Sequence, residues 1–492
     1  MTHLDAHPDP LAARIVRRPS RSGPSLLGGS IELPPRPCTH EPATWVSPWT
    51  GAAGTVGTVA VVGAGKMGLP LAVQFASHGW RVVAVDVNPA VVAAIEAGRS
   101  HVTEEPGLDE FVARERAAGR LTATTDGTAA ARSADVVVFI VPVMLDDEQR
   151  PDYRHMDAAV EAIGRGLRPG ATAIFETTLP VGDTRHRYAP RLAELSGLSP
   201  EVDLFVAFSP ERLYSGAALR NLATYPKLVG GIGDASGERA ARFYASVLDA
   251  EIVLLSSAEA AEFAKLADTT YRDVNIALAT EFARYAERIG VDISEVIEAA
   301  NSQPYSHIHQ PGIGVGGHCI PVYPHFLLAK APELELVALA RRVNDGGVGH
   351  AIRSIGRVLG GLDGEPVLVL GLTYRHGVKE LAYSRALPLI ERLRFHGATV
   401  AAYDPLLSPE EIEACCATPW RWGEPGPFRA IVVQTADPQF RTLDPAWFPE
   451  LEVVYDGRNA LRDLAFPEAV TVLGVGLPAR GGRLRTVAPA GA

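Results

Sequence analysis

Residues 58–89, TVAVVGAGKMGLPLAVQFASHGWRVVAVDVNP, place a glycine-rich turn between two apolar runs. The run before the turn is typical of a short buried strand, and Pro70 stands in the first turn of the helix predicted after it. RVVAVD, which ends at Asp86, predicts a second strand. Because strands that alternate with helices form parallel sheets, this segment predicts an α/β sheet with helices packed on it.

The turn reads Gly63-Ala64-Gly65-Lys66-Met67-Gly68, the pattern G-x-G-x-x-G. The first glycine permits a tight turn, the second lets a pyrophosphate approach the backbone, and the third allows close helix–strand packing. Asp86 can accept a hydrogen bond from a ribose hydroxyl and would repel a 2′-phosphate. The alternative is a purely structural glycine turn. We predict a site for NAD rather than NADP, formed by Gly63, Gly65, Lys66, Met67, Gly68 and Asp86.

The strand–helix alternation continues beyond this unit. Further strands are predicted within 134–142, 171–180, 203–211, 365–405, 429–438 and 451–459. Between them, Ser257–Gly290 contains no proline and no internal glycine, which predicts one long helix. The fold class is therefore α/β, with two Rossmann-like doubly wound domains joined by a long central helix and a helical dimerisation region.

The predicted domain boundaries follow these changes of pattern. They give a disordered leader (1–54), an NAD-binding domain (55–255), a central helical domain that holds the cysteine loop (256–350), a second α/β domain (351–475) and a flexible tail (476–492). The second α/β domain lacks the G-x-G-x-x-G pattern, since its first turn reads GLTYR (371–375). From the residues alone, it is either a structural lobe or a nucleotide site of different geometry.

Composition and charge exclude several classes of protein. The 492 residues carry a formal net charge of −11, which argues against general affinity for nucleic acid or an anionic membrane. No apolar run reaches the roughly 18 residues of a membrane span, and the N-terminus lacks a signal-peptide core. The four cysteines are scattered and form no CxxC pair, so neither a disulfide scaffold nor a metal site is predicted. We expect a cytoplasmic protein.

A second candidate site lies in QPGIGVGGHCIPVYPHFLL, residues 310–328. Glycines leave the backbone nearly bare ahead of Cys319, so the loop suits a large ligand lying against the main chain. An isolated cysteine in such a loop is more often structural. Since a hydride acceptor is already predicted, a thiolate that captures an aldehyde is the functional alternative.

With these motifs the chain resembles the nucleotide-sugar 6-dehydrogenases, which act on UDP-glucose, UDP-N-acetylglucosamine or UDP-N-acetylmannosamine. The resemblance runs from about residue 58 to 460. Its motifs are GAGKMGLPLA, EEPGLDE (104–110), ETTLPVGDT (176–184), SPERLYSG (209–216), KLADTTYRDVNIALATE (265–281), GVGGHC, RRVND (341–345), VLGLTYR (369–375), GATVAAYDP (397–405) and DGRN (456–459). The long helix, YRDVNIA and GVGGHCIPV look like the N-acetylhexosamine branch.

The resemblance implies oxidation of the sugar C6 alcohol to a carboxylate, with reduction of two NAD⁺. Cys319 matches the family nucleophile, which forms a thiohemiacetal and then a thioester. Lys265 matches the lysine that stabilises the oxyanion, and Glu176 a glutamate implicated in acid–base or water-positioning work. Thr269 stands where the family has asparagine and can still donate a hydrogen bond. Thr178 is expected to approach the cofactor.

The resemblance also implies that the second α/β domain (351–475) binds the UDP part of the nucleotide sugar, and it implies a set of residues that bind this substrate. These are Glu211, Arg212, Leu213, Arg272, Gly312, Gly316, Gly317, His318 and Tyr323. Arg272 lies two helical turns beyond Lys265, so both side chains can face one cleft.

Some positions depart from the family pattern. Tyr323 replaces an aspartate, Val143 a threonine, and Ala382 an arginine. A phenol is a poor replacement for a carboxylate that deprotonates a nucleophile or water. The residues that could compensate are Asp268, Glu176 and His318.

Two other functions remain open at this stage. The chain could be a diverged member that performs a two-electron oxidation or uses an unusual nucleotide sugar, or a non-catalytic homologue that binds nucleotide sugars. We also expect a homodimer, because the long helix is apolar on more than one face. Its apolar residues include Phe263, Leu266, Val274, Ile276, Leu278 and Phe282.

Overall fold

The computed structural model describes residues 14–17, 57–212 and 216–482. The chain forms two compact units. Unit 1 consists of residues up to 143 and 152–265, and unit 2 consists of residues 144–151 and 266 onward. The predicted central domain 256–350 therefore contributes its first ten residues to unit 1 and the remainder to unit 2.

The strands of both units are short. In chain order they are β1 (Ile15–Arg17), β2 (Thr58–Val62), β3 (Arg81–Val85), β4 (Leu121–Thr124), β5 (Val136–Phe139), β6 (Met144–Leu145), β7 (Pro151–Asp152), β8 (Ala171–Phe175), β9 (Leu204–Phe208), β10 (Lys227–Gly231), β11 (Ile252–Leu254), β12 (Pro366–Leu370), β13 (Thr399–Tyr403), β14 (Thr418–Pro419), β15 (Ala430–Val433), β16 (Val453–Asp456) and β17 (Thr471–Gly474).

Helices connect most of these strands. They are α1 (Gly68–Ser77), α2 (Pro89–Glu96), α3 (Leu108–Ala117), α4 (Gly127–Ser133), α5 (Arg154–Gly164), α6 (Ala189–Ser196), α7 (Ala218–Thr224), α8 (Asp234–Val247), α9 (Ala258–Ile289), α10 (Ile293–Asn301), α11 (Tyr323–Lys330), α12 (Glu335–Asp345), α13 (Gly347–Leu359), α14 (Ala386–Phe395) and α15 (Pro409–Ala414). Shorter turns are a π-helical turn at Thr184–Tyr188 and 3₁₀ turns at Pro438–Thr442 and Pro445–Trp447.

Both main sheets are doubly wound. In unit 1 the strands run β4-β3-β2-β5-β8-β9, all parallel, which is the order 3-2-1-4-5-6 of a dinucleotide-binding sheet. β10 continues the sheet antiparallel to β9. In unit 2 the order β14-β13-β12-β15-β16-β17 repeats the same plan with parallel pairing throughout. The predicted fold class is confirmed.

Burial explains why the central strands read as unbroken apolar runs. All residues of β2, β5, β8 and β9 are buried. Because crossover helices cover both faces of a parallel sheet, neither side of these strands meets water. The carboxyl ends of the strands are then the places where polar side chains and ligands gather.

Two terminal predictions need correction. Ile15–Arg17, within the predicted disordered leader, forms β1 and pairs in parallel with β11. Residues 476–482, within the predicted flexible tail, return onto the sheet, where Arg480 forms an antiparallel bridge with Val472. Ile293 also donates a backbone hydrogen bond of 2.9 Å to the Gly476 carbonyl. The rest of both predicted segments lies outside the described residues.

Candidate active site

The glycine turn of unit 1 has the geometry that its spacing requires. Gly63 has φ +95°, a conformation that side chains rarely adopt. A Cβ on Gly68 would lie 1.8 Å from the Gly63 carbonyl oxygen, so only glycine fits where α1 meets β2. A Cβ on Gly65 would meet nothing within 4 Å, which leaves this backbone open to a ligand. Lys66, between the last two glycines, forms an ion pair with Glu104 at 3.1 Å.

Asp86 follows β3 and faces the same turn. Its Oδ2 accepts a hydrogen bond of 3.0 Å from the backbone of Ala64, and its Oδ1 accepts one of 2.9 Å from Asn88. The next residue, Val87, is 94% exposed. Because it is a valine, it offers no positive charge to a 2′-phosphate at this position. The open turn, the N-terminus of α1 and this carboxylate fit NAD.

His101 is a residue of this region that the sequence did not single out. Both of its ring nitrogens are buried and have no hydrogen-bond partner among the described residues. Burial lowers the pKa of His101, against the opposing effect of the Asp86 carboxylate and the Ala64 backbone. No local pattern marks such a residue, because its environment is formed by the turn and the end of β3.

Glu176, which follows β8, is fully buried and bound on both oxygens. Lys227 donates to Oε2 at 2.7 Å, and the Tyr244 hydroxyl donates to Oε1 at 2.6 Å. Burial and this carboxylate together raise the pKa of Tyr244 well above its ordinary value. Protein groups therefore bind both oxygens of Glu176, and its acid–base or water-positioning role stays a prediction. Lys227 and Tyr244 were not predicted from the sequence.

The backbone links Glu176 to Lys265. The Glu211 amide donates to the Glu176 carbonyl at 3.0 Å, and the Glu211 carbonyl accepts from Lys265 Nζ at 2.7 Å. Lys265 is only 5% exposed, so this carbonyl fixes its ammonium group. Arg212 lies beside this segment and donates to the Pro226 carbonyl at 3.3 Å. Unit 1 thus gathers Glu176, Glu211 and Lys265, with Thr178 buried in the same turn.

Leu213, expected to bind the nucleotide sugar, lies outside the described residues.

Three polar residues follow Lys265 along α9. Thr269 is completely buried one turn further on. Arg272 forms an ion pair with Asp268 at 3.3 Å, and Asp268 is half exposed. Burial lowers the pKa of His309, and the nearby positive charge of Arg272 lowers it further. These contacts belong to unit 2, whereas Lys265 closes unit 1.

Unit 2 packs the glycine-rich loop against the segment after β12. A Cβ on Gly317 would lie 3.0 Å from the Tyr374 ring, and one on Gly316 would lie 3.1 Å from the Tyr383 carbonyl oxygen. Arg385 Nε donates to the Val315 carbonyl at 2.7 Å. Glycine is needed here because the loop backbone touches its neighbours. Gly312 is equally confined, since its Cβ would lie 2.9 Å from the Arg458 guanidinium.

Cys319 lies where this loop turns into α11. It is partly exposed and forms no disulfide, and its carbonyl accepts hydrogen bonds from the backbones of Val322 and Tyr323 at 3.2 and 3.0 Å. The Tyr323 ring packs on Phe326 with centroids 5.4 Å apart. His318 lies 3.4 Å from Glu380, a contact that the sequence did not predict.

Three ranges of the chain match known protein families. Residues 57–248 match the NAD binding domain of the UDP-glucose/GDP-mannose dehydrogenase family, residues 259–346 its central domain, and residues 368–463 its UDP binding domain. The chain belongs to this family. It is therefore an NAD-dependent nucleotide-sugar dehydrogenase, with NAD as cofactor, as the sequence predicted.

Individual relatives agree with this assignment. UDP-N-acetyl-D-mannosamine dehydrogenase of Pyrococcus horikoshii is 33% identical over 417 residues, which cover 82% of this chain and 96% of the relative. An NDP-N-acetyl-D-galactosaminuronic acid dehydrogenase of Ralstonia solanacearum is 34% identical, covering 79% and 92%. The solved structure of the Pyrococcus horikoshii enzyme superimposes with a TM-score of 0.77 at 32% identity, covering 85% and 99%. A UDP-glucose dehydrogenase from Pyrobaculum islandicum gives 0.76 at 30% identity, covering 87% and 99%.

The described residues hold neither a membrane-spanning helix nor a group of metal ligands. No helix there is long and apolar enough to cross a membrane. In the same residues, no three histidine, cysteine or acidic side chains are grouped so that they could hold a metal ion.

Proposed function

We propose that this enzyme oxidises the C6 alcohol of a UDP-N-acetylhexosamine, or of a related UDP-hexose, to the uronic acid through a covalent intermediate on Cys319. The observation that carries the proposal is the position of Cys319, a partly exposed cysteine outside any disulfide, at the end of a loop that contacts Arg385 and Tyr374. Relatives named for UDP-N-acetyl-D-mannosamine and NDP-N-acetyl-D-galactosaminuronic acid support an N-acetylhexosamine as the sugar.

The residues of the chain divide the chemistry between them. Gly63, Gly65 and Asp86 would hold NAD⁺, which supplies the oxidising power by accepting electrons from the sugar C6. The Cys319 thiolate adds to the C6 aldehyde and forms a C–S bond. Lys265, whose ammonium group the Glu211 carbonyl fixes, donates to the oxyanion that develops in this addition. After the second oxidation, water hydrolyses the thioester and releases the carboxylate.

The test is replacement of the thiol. Cys319→Ser should lower steady-state turnover to below about a thousandth of the wild-type value, because the covalent route is lost. NADH formed per sugar is measured over UDP-N-acetyl-D-mannosamine, UDP-N-acetylglucosamine and UDP-glucose. Cys416→Ser, at an exposed cysteine, is the control and should leave turnover unchanged. Two NADH per sugar at a near-normal rate in Cys319→Ser would overturn the mechanism.

A second candidate function is a two-electron oxidation that stops at the aldehyde. The observation that favours it is Tyr323, which replaces the family aspartate and packs its ring on Phe326. The same assay separates the candidates, since the wild-type enzyme then forms one NADH per sugar instead of two. A non-catalytic homologue would form none.

We further propose a homodimer in the cytoplasm. α9 exposes large apolar side chains along one side, among them Leu278, Phe282 and Tyr285, and a second copy of the chain would cover them. None of the three described cysteines forms a disulfide, which suits a reducing compartment. Of the helix residues named in the sequence analysis, Phe263, Leu278 and Phe282 are exposed, whereas Leu266 is completely buried.

A further inference from the structure

Hydrolysis of a thioester at neutral pH needs a base, and Tyr323 does not supply a carboxylate. Of the three residues that could compensate, Glu176 is enclosed by Lys227 and Tyr244. Asp268 is half exposed and pairs with Arg272. The third, His318, directly precedes Cys319 in the chain.

His318 faces a carboxylate that is itself held in place. Its Nε2 lies 3.4 Å from Glu380 Oε2, and its side chain is 42% exposed against 22% for Glu380. The other carboxylate oxygen, Oε1, accepts a hydrogen bond of 3.0 Å from the backbone of Ala382. The Tyr383 ring stands edge-on to the imidazole, with centroids 6.0 Å apart. Glu380 thus orients the ring, and in the described part of the chain Nδ1 has no hydrogen-bond partner.

The backbone around His318 is fixed on both sides. Arg385 holds the Val315 carbonyl, Tyr374 lies against Gly317, and the carbonyl of Cys319 accepts the first hydrogen bonds of the turn into α11. These contacts hold the backbone on both sides of His318, and the Glu380 carboxylate lies beside its ring. Imidazole is also the side chain that changes charge between pH 5 and 8, which suits a base at neutral pH.

From this geometry we propose that His318, oriented by Glu380, is the general base that activates water for hydrolysis of the Cys319 thioester. Nδ1 accepts a proton from water as the water oxygen bonds to the thioester carbonyl carbon. Collapse of the tetrahedral intermediate breaks the C–S bond and releases the sugar carboxylic acid and the Cys319 thiolate. The imidazolium then returns its proton to solvent, so no oxidant or reductant enters this step. The inference rests on the proposed function.

The test separates thioester formation from hydrolysis in the full-length enzyme. With UDP-N-acetyl-D-mannosamine, His318→Asn should still form two NADH per active site in a single burst. Steady-state turnover should fall by about 100-fold or more, the usual contribution of a general base. Intact mass spectrometry should show the acyl group retained on the enzyme. Glu380→Gln, which removes the orienting carboxylate, should retain the same acyl adduct with a smaller loss of turnover, whereas a merely structural defect would not trap it.

A second substitution that restores turnover tests the role of His318 as the base more directly. Tyr323→Asp added to His318→Asn should restore turnover and remove the adduct, because it returns a carboxylate to the family position. His78→Asn is the matched control, since His78 also lies near a carboxylate, 3.9 Å from Asp249, but beyond the far end of α1. It should behave as wild type.

Three results would overturn the inference. Normal turnover in His318→Asn means that another group activates the water. Loss of the NADH burst itself, with the fold intact by circular dichroism, means that His318 acts before the thioester forms. If the wild-type enzyme forms no NADH with any sugar of the panel, the proposed function fails and the inference falls with it.

Discussion

At the scale of single residues, the contacts of Glu176 are the part of the site that the sequence reveals least. Removing one partner of a buried ion pair lowers the free energy of unfolding by about 3–5 kcal/mol, because the other charge is left uncompensated. Lys227→Met should therefore lower the melting temperature strongly. The double variant Glu176→Gln/Lys227→Met removes both charges, so it should recover most of that stability and turnover within about tenfold of wild type. Thermal unfolding and steady-state kinetics measure both. If the double variant folds normally but turns over at less than about a hundredth of the wild-type rate, Glu176 takes part in the chemistry after all.

The contacts of Glu176 could not be predicted because its partners are far away in the sequence. The partners of Glu176 lie 51 and 68 residues further along the chain, on β10 and α8, so no local spacing reveals them. The glycine turn could be predicted because its requirements are local, such as the positive φ of Gly63 and the absence of room at Gly68. The neighbouring glycines likewise indicate the loop that carries Cys319. The contacts of this loop with Glu380, through His318, and with Arg385, through Val315, could not be predicted, because the partners are 62 and 70 residues apart in the sequence.

At the scale of elements, α9 was predictable almost to the residue. The predicted helix 257–290 is observed as Ala258–Ile289, because the segment contains neither proline nor internal glycine. β1 was not predictable, since a three-residue strand gains its stability from its partner rather than from its own pattern. Its neighbour Arg14 donates to the Ala245 carbonyl at 3.1 Å, across 231 residues of sequence.

The start of α9 also carries a pH-dependent contact. Glu262 accepts hydrogen bonds from the backbones of Gly182 and Thr184 at 2.6 and 2.9 Å. Burial raises the pKa of Glu262 to about 7, despite the opposing effect of these donors. An acid whose pKa is raised on folding keeps its proton in the native state and loses it when unfolded, so stability should fall between about pH 4.5 and 7, by up to about 1.4 kcal/mol per pH unit.

Urea unfolding of wild type and Glu262→Gln over this pH range measures the effect. The stability of the wild type relative to the variant should decline as the pH rises from 4.5 to 7 and then level off. Glu281→Gln, at an exposed position further along the same helix, serves as the control and should follow the wild-type curve. Parallel curves for wild type and Glu262→Gln would contradict the prediction.

At the scale of the whole molecule, the two units share one plan although only the first has the G-x-G-x-x-G pattern. Asp404 follows β13 as Asp86 follows β3, and its Oδ2 accepts from the backbones of Leu372 and Thr373 at 2.7 and 2.9 Å. In both units an aspartate after the second strand of the sheet fastens the turn after the first strand. Strand–helix alternation in the sequence predicts the two doubly wound domains, but it does not reveal these hydrogen bonds between an aspartate and the turn.

The assembly of the molecule depends on the surface that α9 leaves uncovered. At about 100° per residue, five of its exposed apolar side chains fall within a stripe of about 60°. They are Tyr271, Leu278, Phe282, Tyr285 and Ile289, each at least 40% exposed. An apolar stripe of this length is rare on the surface of a monomer, and a second copy of the same helix would match it.

We therefore expect Leu278→Asp/Phe282→Asp to convert the proposed dimer to a monomer at micromolar concentration, because dimerisation would bury two charges from each chain without partners. Light scattering measures the mass. Arg392→Asp on α14 changes the net charge by the same amount at another exposed site and should leave the dimer intact. A wild-type chain that is already monomeric, or a double variant that remains dimeric, would show that this stripe is not the interface.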